Sequence, residues 1–147
     1  MLLPDVNVLI YAHREDGDDH DAYAAWLENL VNDEAPFAVS EIVLSSFLRI
    51  VSNPKIFSPA TPMNVAIEFC ERLVGWPRAV SLLPTERHWG LFTQLCKDSR
   101  IKGAMVSDAY LAALAIEHGC ELVTTDSDFA RFAGLRWRHP LSPANGP

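Results

Sequence analysis

Short apolar runs alternate with amphipathic stretches along most of this chain, and the alternation defines its elements. Residues 1–4 read as a short buried strand that leads into a helix beginning near Asn7. A second helical pattern over residues 20–31 places Tyr23, Trp26, Leu27 and Leu30 on one face. Residues 36–40 predict a strand, and Ser40 stands where it can cap a helix over residues 41–51 that Ser52-Asn53-Pro54 stops. The stretch 55–62 carries two prolines and reads as an exposed loop. Thr61 followed by Pro62 is a cap-then-proline start for a helix reaching about Gly75. Residues 79–82 form a third strand, and Thr85 is expected to cap a helix through about Lys97. A nearly all-apolar helix over residues 105–118 ends at Gly119, followed by a strand at 121–125 and an edge strand at 135–137. Short strands alternating with helices predict a parallel sheet covered on both faces and joined by right-handed crossovers. The expected fold is α/β: a three-layer α/β/α domain over residues 1–140, with a central parallel sheet of four to five short strands. Residues 141–147 are expected to be a flexible C-terminal tail.

The length of 147 residues matches one domain able to bury a core unaided, and the 49% hydrophobic and 21% charged shares are ordinary for a globular chain. No apolar run reaches the roughly 18 residues needed to span a bilayer. The N-terminus lacks a basic region and meets an acid at Asp5, so no secretory signal is expected. Cys70, Cys96 and Cys120 are few, far apart and set in apolar helical patterns, which reads as buried thiols in a reducing cytoplasm rather than a disulfide frame or zinc site. The net charge of −7 counts against a module that grips nucleic acid with its whole surface. It favours chemistry in which carboxylates hold divalent cations on a phosphodiester, because the ions then carry the charge match.

Most of the 19 acids lie in polar windows and read as solvated surface. Asp5, Glu41 and Asp108 instead lie inside the most apolar windows of the chain, where a lone ionised carboxylate costs several kcal/mol. Asp5, Glu41 and Asp126 each follow a strand at its carboxyl end. Asp108 lies near the start of a helix running antiparallel to the sheet, which brings it to the same edge. That edge is where open α/β sheets form their binding crevice. Each acid taken singly reads as a helix cap or a first-turn dipole partner; together they define a site. No lysine or arginine adjoins them in sequence, so the expected counter-charge is a hard cation with oxygen ligands, Mg2+ or Mn2+ rather than zinc. His13, His20, His88, His118 and His139 show no ligand spacing and are read as structural or surface residues. Neither a nucleophile elbow nor a glycine-rich phosphate loop is present in the sequence.

Four motifs resemble the PIN domain, and within it the VapC-type toxins of bacterial toxin–antitoxin pairs: Asp5-Val6-Asn7 after a strand, Ser40-Glu41 opening a helix, Val106-Ser107-Asp108-Ala109-Tyr110, and Thr124-Thr125-Asp126-Ser127-Asp128-Phe129. Ser52-Asn53-Pro54 and Arg87-His88-Trp89 also match, so the resemblance runs from Leu2 to about Pro140. It implies a metal-dependent endoribonuclease with Asp5, Glu41, Asp108, Asp126 and Asp128 as the catalytic acids. Asp5, Asp108 and Asp126 would hold Mg2+ or Mn2+, with Asp128 in the cluster or behind it and Asn7 orienting Asp5 or a bound water. Val6 departs from the hydroxyl residue common in relatives, which bears on a supporting hydrogen bond rather than on the metal site. The resemblance further implies a homodimer and a VapB-type antitoxin that blocks the crevice, with Trp26 and Phe47 as contact or core residues. RNA would be met by a weak basic patch, Lys97, Arg100 and Lys102 before Asp108, with Arg131, Arg136 and Arg138 after Asp128. Two rival readings are a Mg2+-dependent phosphatase, which normally has an acid where this chain has Asn7, and a catalytically silent RNA-binding or regulatory PIN domain.

Overall fold

Strands of only three or four residues suffice here because the three in the middle of the sheet are almost wholly buried. The strands are β1 (Leu2–Pro4), β2 (Phe37–Ser40), β3 (Ala79–Leu82), β4 (Glu121–Val123) and β5 (Arg136–Arg138). In the computed structural model, which describes residues 1–143, they pair in parallel in the order β3-β2-β1-β4-β5. All four residues of β2 are buried, as a central parallel strand covered on both faces requires. The fifth strand lies at the sheet edge, one residue later than the sequence pattern placed it. The tail expected at 141–147 falls from residue 144 onward outside the described residues.

Six helices cover the sheet: α1 (Val6–His13), α2 (His20–Asn32), α3 (Glu41–Val51), α4 (Met63–Val74), α5 (His88–Asp98) and α6 (Met105–Glu117). Helix α1 packs against α2 and α3, α3 against α4, and α5 pairs with α6. Right-handed crossovers explain the division. The chain moves outward from β1 to β2 and β3 through α1–α4, then returns past β1 to β4 through α5 and α6, which places that pair on the opposite face. Helix α6 carries six buried residues, Ala109, Leu111, Ala112, Ala113, Leu114 and Ala115, and its alanines let it lie close to the sheet. The core centres on Leu3, Phe37, Phe47, Leu114, Leu122 and Phe129, each at most 2% exposed. Phe47 is therefore a core residue and not a contact for another protein; it stacks on Phe69 at a centroid distance of 4.8 Å. Trp26 is half-buried against the same core.

Two helix starts differ from the sequence pattern, and a third cap lacks its side-chain bond. Ser40 holds the cap position of α3 but makes no side-chain cap bond. Thr61 is buried and its hydroxyl meets His13 Nε2 at 3.2 Å and Arg14 Nη1 at 3.3 Å, so α4 starts a residue later than a Thr61 cap implies. Thr85 donates its hydroxyl to Glu117 and accepts from the Arg87 amide, and α5 starts at His88. In the two threonines the hydroxyl that would cap a helix is claimed by a tertiary partner. No helix among the described residues is long and apolar enough to cross a membrane.

Candidate active site

Connections leave β1 toward β2 and reach β4 from the far side of the sheet, so the carboxyl ends of β1 and β4 form the topological switch point where the chain parts. Asp5 directly follows β1, and its amide donates to Val123 O at 2.9 Å, tying it to the end of β4. The Asp5 carboxylate caps α1: Oδ1 accepts from the Val6 amide at 2.7 Å. Its Oδ2 accepts from the Thr124 hydroxyl at 2.7 Å and from Asn7 Nδ2 at 3.1 Å. Asn7 Nδ2 also reaches Thr124 Oγ1 at 3.1 Å, and Asn7 Oδ1 accepts from the Thr125 amide at 3.3 Å. The Asp126 amide completes the set by donating to Thr124 Oγ1 at 3.1 Å. The Thr124 hydroxyl thus donates once and accepts twice, which is its full capacity. It is fully buried and holds Asp5, Asn7 and Asp126 in one arrangement. The sequence reading names Thr124 only as the first residue of the fourth motif and gives it no role; the sign of that role is a hydroxyl at the buried end of β4, two residues before Asp126.

Asp126 caps the short 3-10 helix Ser127–Arg131, its Oδ1 accepting from the Asp128 amide at 2.8 Å. Asp108 lies in the first turn of α6 and lines a narrow cleft of about 60 Å³ together with Asp5, Val6, Ile42, Val43 and Ser107. Burial, then the charges of Asp5 and Asp126 and to a smaller degree Asp128, push the Asp108 carboxyl up to about 6; Arg131 opposes them. Burial also raises Asp5, against the hydrogen bonds from Thr124, Val6 and Asn7, while Asp126 raises it further. Asp108 is therefore close enough to sense the charges of Asp5, Asp126 and Asp128, and Asp5 that of Asp126.

Arg131 corrects the expectation that no basic side chain serves these acids. Its guanidinium lies 3.7 Å from Asp128 Oδ1 and its Nε donates to Asp128 O at 3.0 Å. Glu41 is the acid that the geometry leaves apart. It begins α3 at the carboxyl end of β2, is exposed, and lines the adjoining hollow with Leu82, Leu83 and Tyr110 rather than the Asp5–Asp108 cleft. Lys97, Arg100 and Lys102 are exposed at the end of α5 and in the loop that leads into α6. The Ser99 hydroxyl donates to Arg131 O at 3.4 Å, which puts that basic loop beside the turn carrying Asp128. His88 is 3% exposed and bonded to Tyr110 O at 3.1 Å, so it is a packing residue.

Among the described residues no three His, Cys, Asp or Glu side chains stand close enough together to hold a metal ion. The donor set nevertheless fits a hard divalent cation. It consists of oxygens alone, its negative charges face each other, and Mg2+ takes one or two carboxylates and completes its shell with water and phosphate. Asp5 accepts three hydrogen bonds, and a carboxylate offers about four acceptor sites, so one remains open.

The sequence matches the family described as PIN domain over residues 2–135. Ribonuclease VapC43 of Mycobacterium tuberculosis is 44% identical over 141 residues, 96% of each chain. The chain belongs to the PIN-domain family of VapC ribonucleases. Ribonuclease VapC25 of the same organism is 39% identical over 140 residues, covering 95% of this chain and 99% of that one. Of solved structures, VapBC2 from Rickettsia felis bound to a promoter DNA fragment superposes with a TM-score of 0.70 at 20% identity, over 94% of this chain and 97% of the other. That likeness concerns the fold, and it agrees with the five-stranded parallel sheet of this PIN domain. The three-layer α/β/α architecture is thus the PIN architecture that the motifs implied.

Proposed function

We propose that this PIN domain is a metal-dependent endoribonuclease acting in the cytoplasm as the toxin of a toxin–antitoxin pair. The observation that carries the reading is the convergence of Asp5, Asp108 and Asp126 at the β1–β4 switch point, with the Asp108 carboxyl pushed up to about 6 by burial and its acidic neighbours. Asp5 and Asp126 also cap helices, but no structural role accounts for Asp108, whose burial beside them costs stability. Bound Mg2+ or Mn2+ supplies activation of water and neutralisation of charge on the phosphodiester. Asp5, Asp108 and Asp126 are the residues proposed to hold it. Thr124 and Asn7 fix the Asp5 carboxylate so that its open acceptor site faces the cleft. Asp128 adds negative charge beside Asp108, while Arg131 limits how far that charge raises Asp108. Glu41 meets substrate from the adjoining hollow, and Lys97, Arg100 and Lys102 meet its phosphates. The naming of the relatives as ribonucleases supports an RNA substrate.

The phosphatase reading needs a general acid two residues after Asp5. Asn7 cannot serve, and its amide is already bonded to Asp5, Thr124 and Thr125. The proposed partners are a VapB-type antitoxin that covers the acidic cleft and a second copy of this chain. Partner-free protein incubated with total cellular RNA tests the reading, with Mg2+, Mn2+ or a chelator and with Asp108→Asn alongside. Discrete fragments that need metal and vanish in the variant are expected. Folded protein that cuts no RNA in either metal would overturn the enzymatic reading in favour of a silent binding domain.

A further inference from the structure

A second hollow, of about 320 Å³, opens beside the carboxylates, between α1, the start of α2 and the segment after β4. Tyr11, Asp18, Asp19, His20, Tyr23 and Thr125 line it. Thr125 immediately precedes Asp126, and its amide donates to the Asn7 side chain that holds Asp5, so this hollow and the cleft share one wall. We propose that it receives a guanine base of the RNA next to the bond that is cut, an assignment that rests on the ribonuclease reading above.

Three features of the lining point to a base with hydrogen-bond donors on its edge. Tyr11 is 41% exposed although it lies on a mostly buried helix, and its ring packs on Tyr23 at a centroid distance of 5.0 Å. An exposed, backed aromatic face is what unpaired RNA bases stack upon. Tyr23 is 6% exposed and lines the hollow, and its hydroxyl takes no hydrogen-bond partner among the described residues and is open to solvent. Burial, with Tyr11 and Asp19 close by, raises the Tyr23 phenol and keeps that hydroxyl protonated. Asp19 occupies the cap position of α2 without capping it, which leaves its carboxylate free to accept from a ligand. His20, also in the lining, has its Nδ1 engaged with Tyr11 O at 3.0 Å.

Negative charge at Asp18 and Asp19 repels phosphate, so the backbone runs past the hollow and a base enters it. Guanine presents N1–H and the 2-amino group side by side, a match for the two oxygens of one carboxylate. Adenine and cytosine set an acceptor nitrogen beside their amino group, and a carboxylate rejects that acceptor. Uracil flanks its single N–H with two carbonyls. A guanidinium side chain of a peptide shares guanine's donor pattern, and the experiment separates the two.

The test takes full-length, partner-free protein and a randomised single-stranded oligoribonucleotide in Mg2+ or Mn2+, with sequencing of the cut ends. Guanine is expected to be enriched at one fixed position from the cut, and Tyr11→Ala, Tyr23→Phe and Asp19→Asn are each expected to flatten that enrichment. Replacing this guanine with inosine, which lacks the 2-amino group, should lower kcat/KM about tenfold in the parent protein and much less in Asp19→Asn. Metal-dependent cleavage without a positioned guanine, or with an enrichment that survives all three variants, overturns the proposal and leaves the ribonuclease reading intact. If no RNA is cut at all, the ribonuclease reading is the one that fails, and NMR titration with guanosine, adenosine, cytidine, uridine and argininamide then decides the site. Preferential binding of guanosine that Tyr23→Phe weakens keeps the base pocket. Tighter binding of argininamide, or no preference among the nucleosides, discards it.

Discussion

On the β1–β4 side of the cleft, Asp5, Asn7, Thr124, Thr125 and Asp126 form one closed hydrogen-bonded network. On the α3–α6 side, the Asp108 carboxylate takes no hydrogen-bond partner among the described residues, and neither does Glu41 in the hollow just beyond. Asp108 senses its neighbours only through charge. One wall is therefore fixed before anything binds, whereas the other holds charge that a ligand must neutralise. Preorganised donors reduce the reorganisation a reaction requires, and uncompensated carboxylates supply affinity for a cation. The proposed metal would take the place of that missing compensation, since no three ligating side chains among the described residues stand together without it.

Neutralising one acid on each wall is the most severe way to break this comparison. Asp5→Asn and Asp108→Asn are each expected to lower metal-dependent RNA cleavage by about 10³-fold, read as single-turnover rates. Their stabilities should move in opposite directions. Asp5→Asn disturbs a satisfied network and lowers the urea midpoint in chelator, while Asp108→Asn raises it. If both variants lost stability together, the two walls would not differ in the way described.

Thr124→Val isolates the fixed wall without touching an acid. The isosteric change leaves Asp5 Oδ2, Asn7 Nδ2 and the Asp126 amide each short of a partner, so a loss of about 2 kcal/mol in unfolding free energy is expected. Glu41→Gln in the adjoining hollow should change stability by less than about 0.5 kcal/mol, because Glu41 is exposed and unpaired. Equal losses in the two variants would remove the contrast.

The open wall has its own signature in pH. The Asp108 carboxyl titrates at about 6 in the folded protein against 3.8 when unperturbed, so the native state binds more protons between those values. Unfolding free energy from this group therefore falls as pH rises from about 4 to about 6, and stays low above that. In chelator at pH 7, Asp108→Asn should be more stable than the parent by about 1 kcal/mol, after discounting for the partial exposure of the site. The difference should vanish near pH 4, and added Mg2+ should stabilise the parent more than the variant. A difference that does not depend on pH would mean that the Asp108 charge is not the cause.

How far the sequence anticipates this arrangement depends on whether a residue answers to its own segment or to a distant one. The inner strands were legible because their apolar runs are dictated by burial on both faces, and the acids because a carboxylate inside such a run is costly wherever the chain goes. Asp5 and Asp126 satisfy both the modest and the functional reading, since each caps a helix while facing the cleft. Thr61 and Thr85 were misread as caps because His13, Arg14 and Glu117, which take their hydroxyls, come from other elements. Thr124 was passed over because a threonine at a strand end is also an ordinary β-former. Glu41 reached the edge that its position after β2 predicts, but position does not fix the direction of a side chain, and it lines the neighbouring hollow.

Arg131 offers the smallest test of the comparison. It is the cation that acts on Asp108, and it does so through charge alone: its own contacts are Asp128, 3.7 Å from the carboxylate, and Met105 Sδ at 3.3 Å. Its side chain is 34% exposed, so solvent and salt weaken the effect. Arg131→Gln removes the charge and keeps much of the side-chain volume. The Asp108 carboxyl, followed by NMR, should then titrate higher than about 6 at low ionic strength, and the shift should shrink as salt is added. Asp5 should not follow, because Arg131 is not among the groups that set its titration. An unmoved Asp108 would mean that Asp128 fully absorbs the guanidinium charge, leaving the open wall with no positive group of its own.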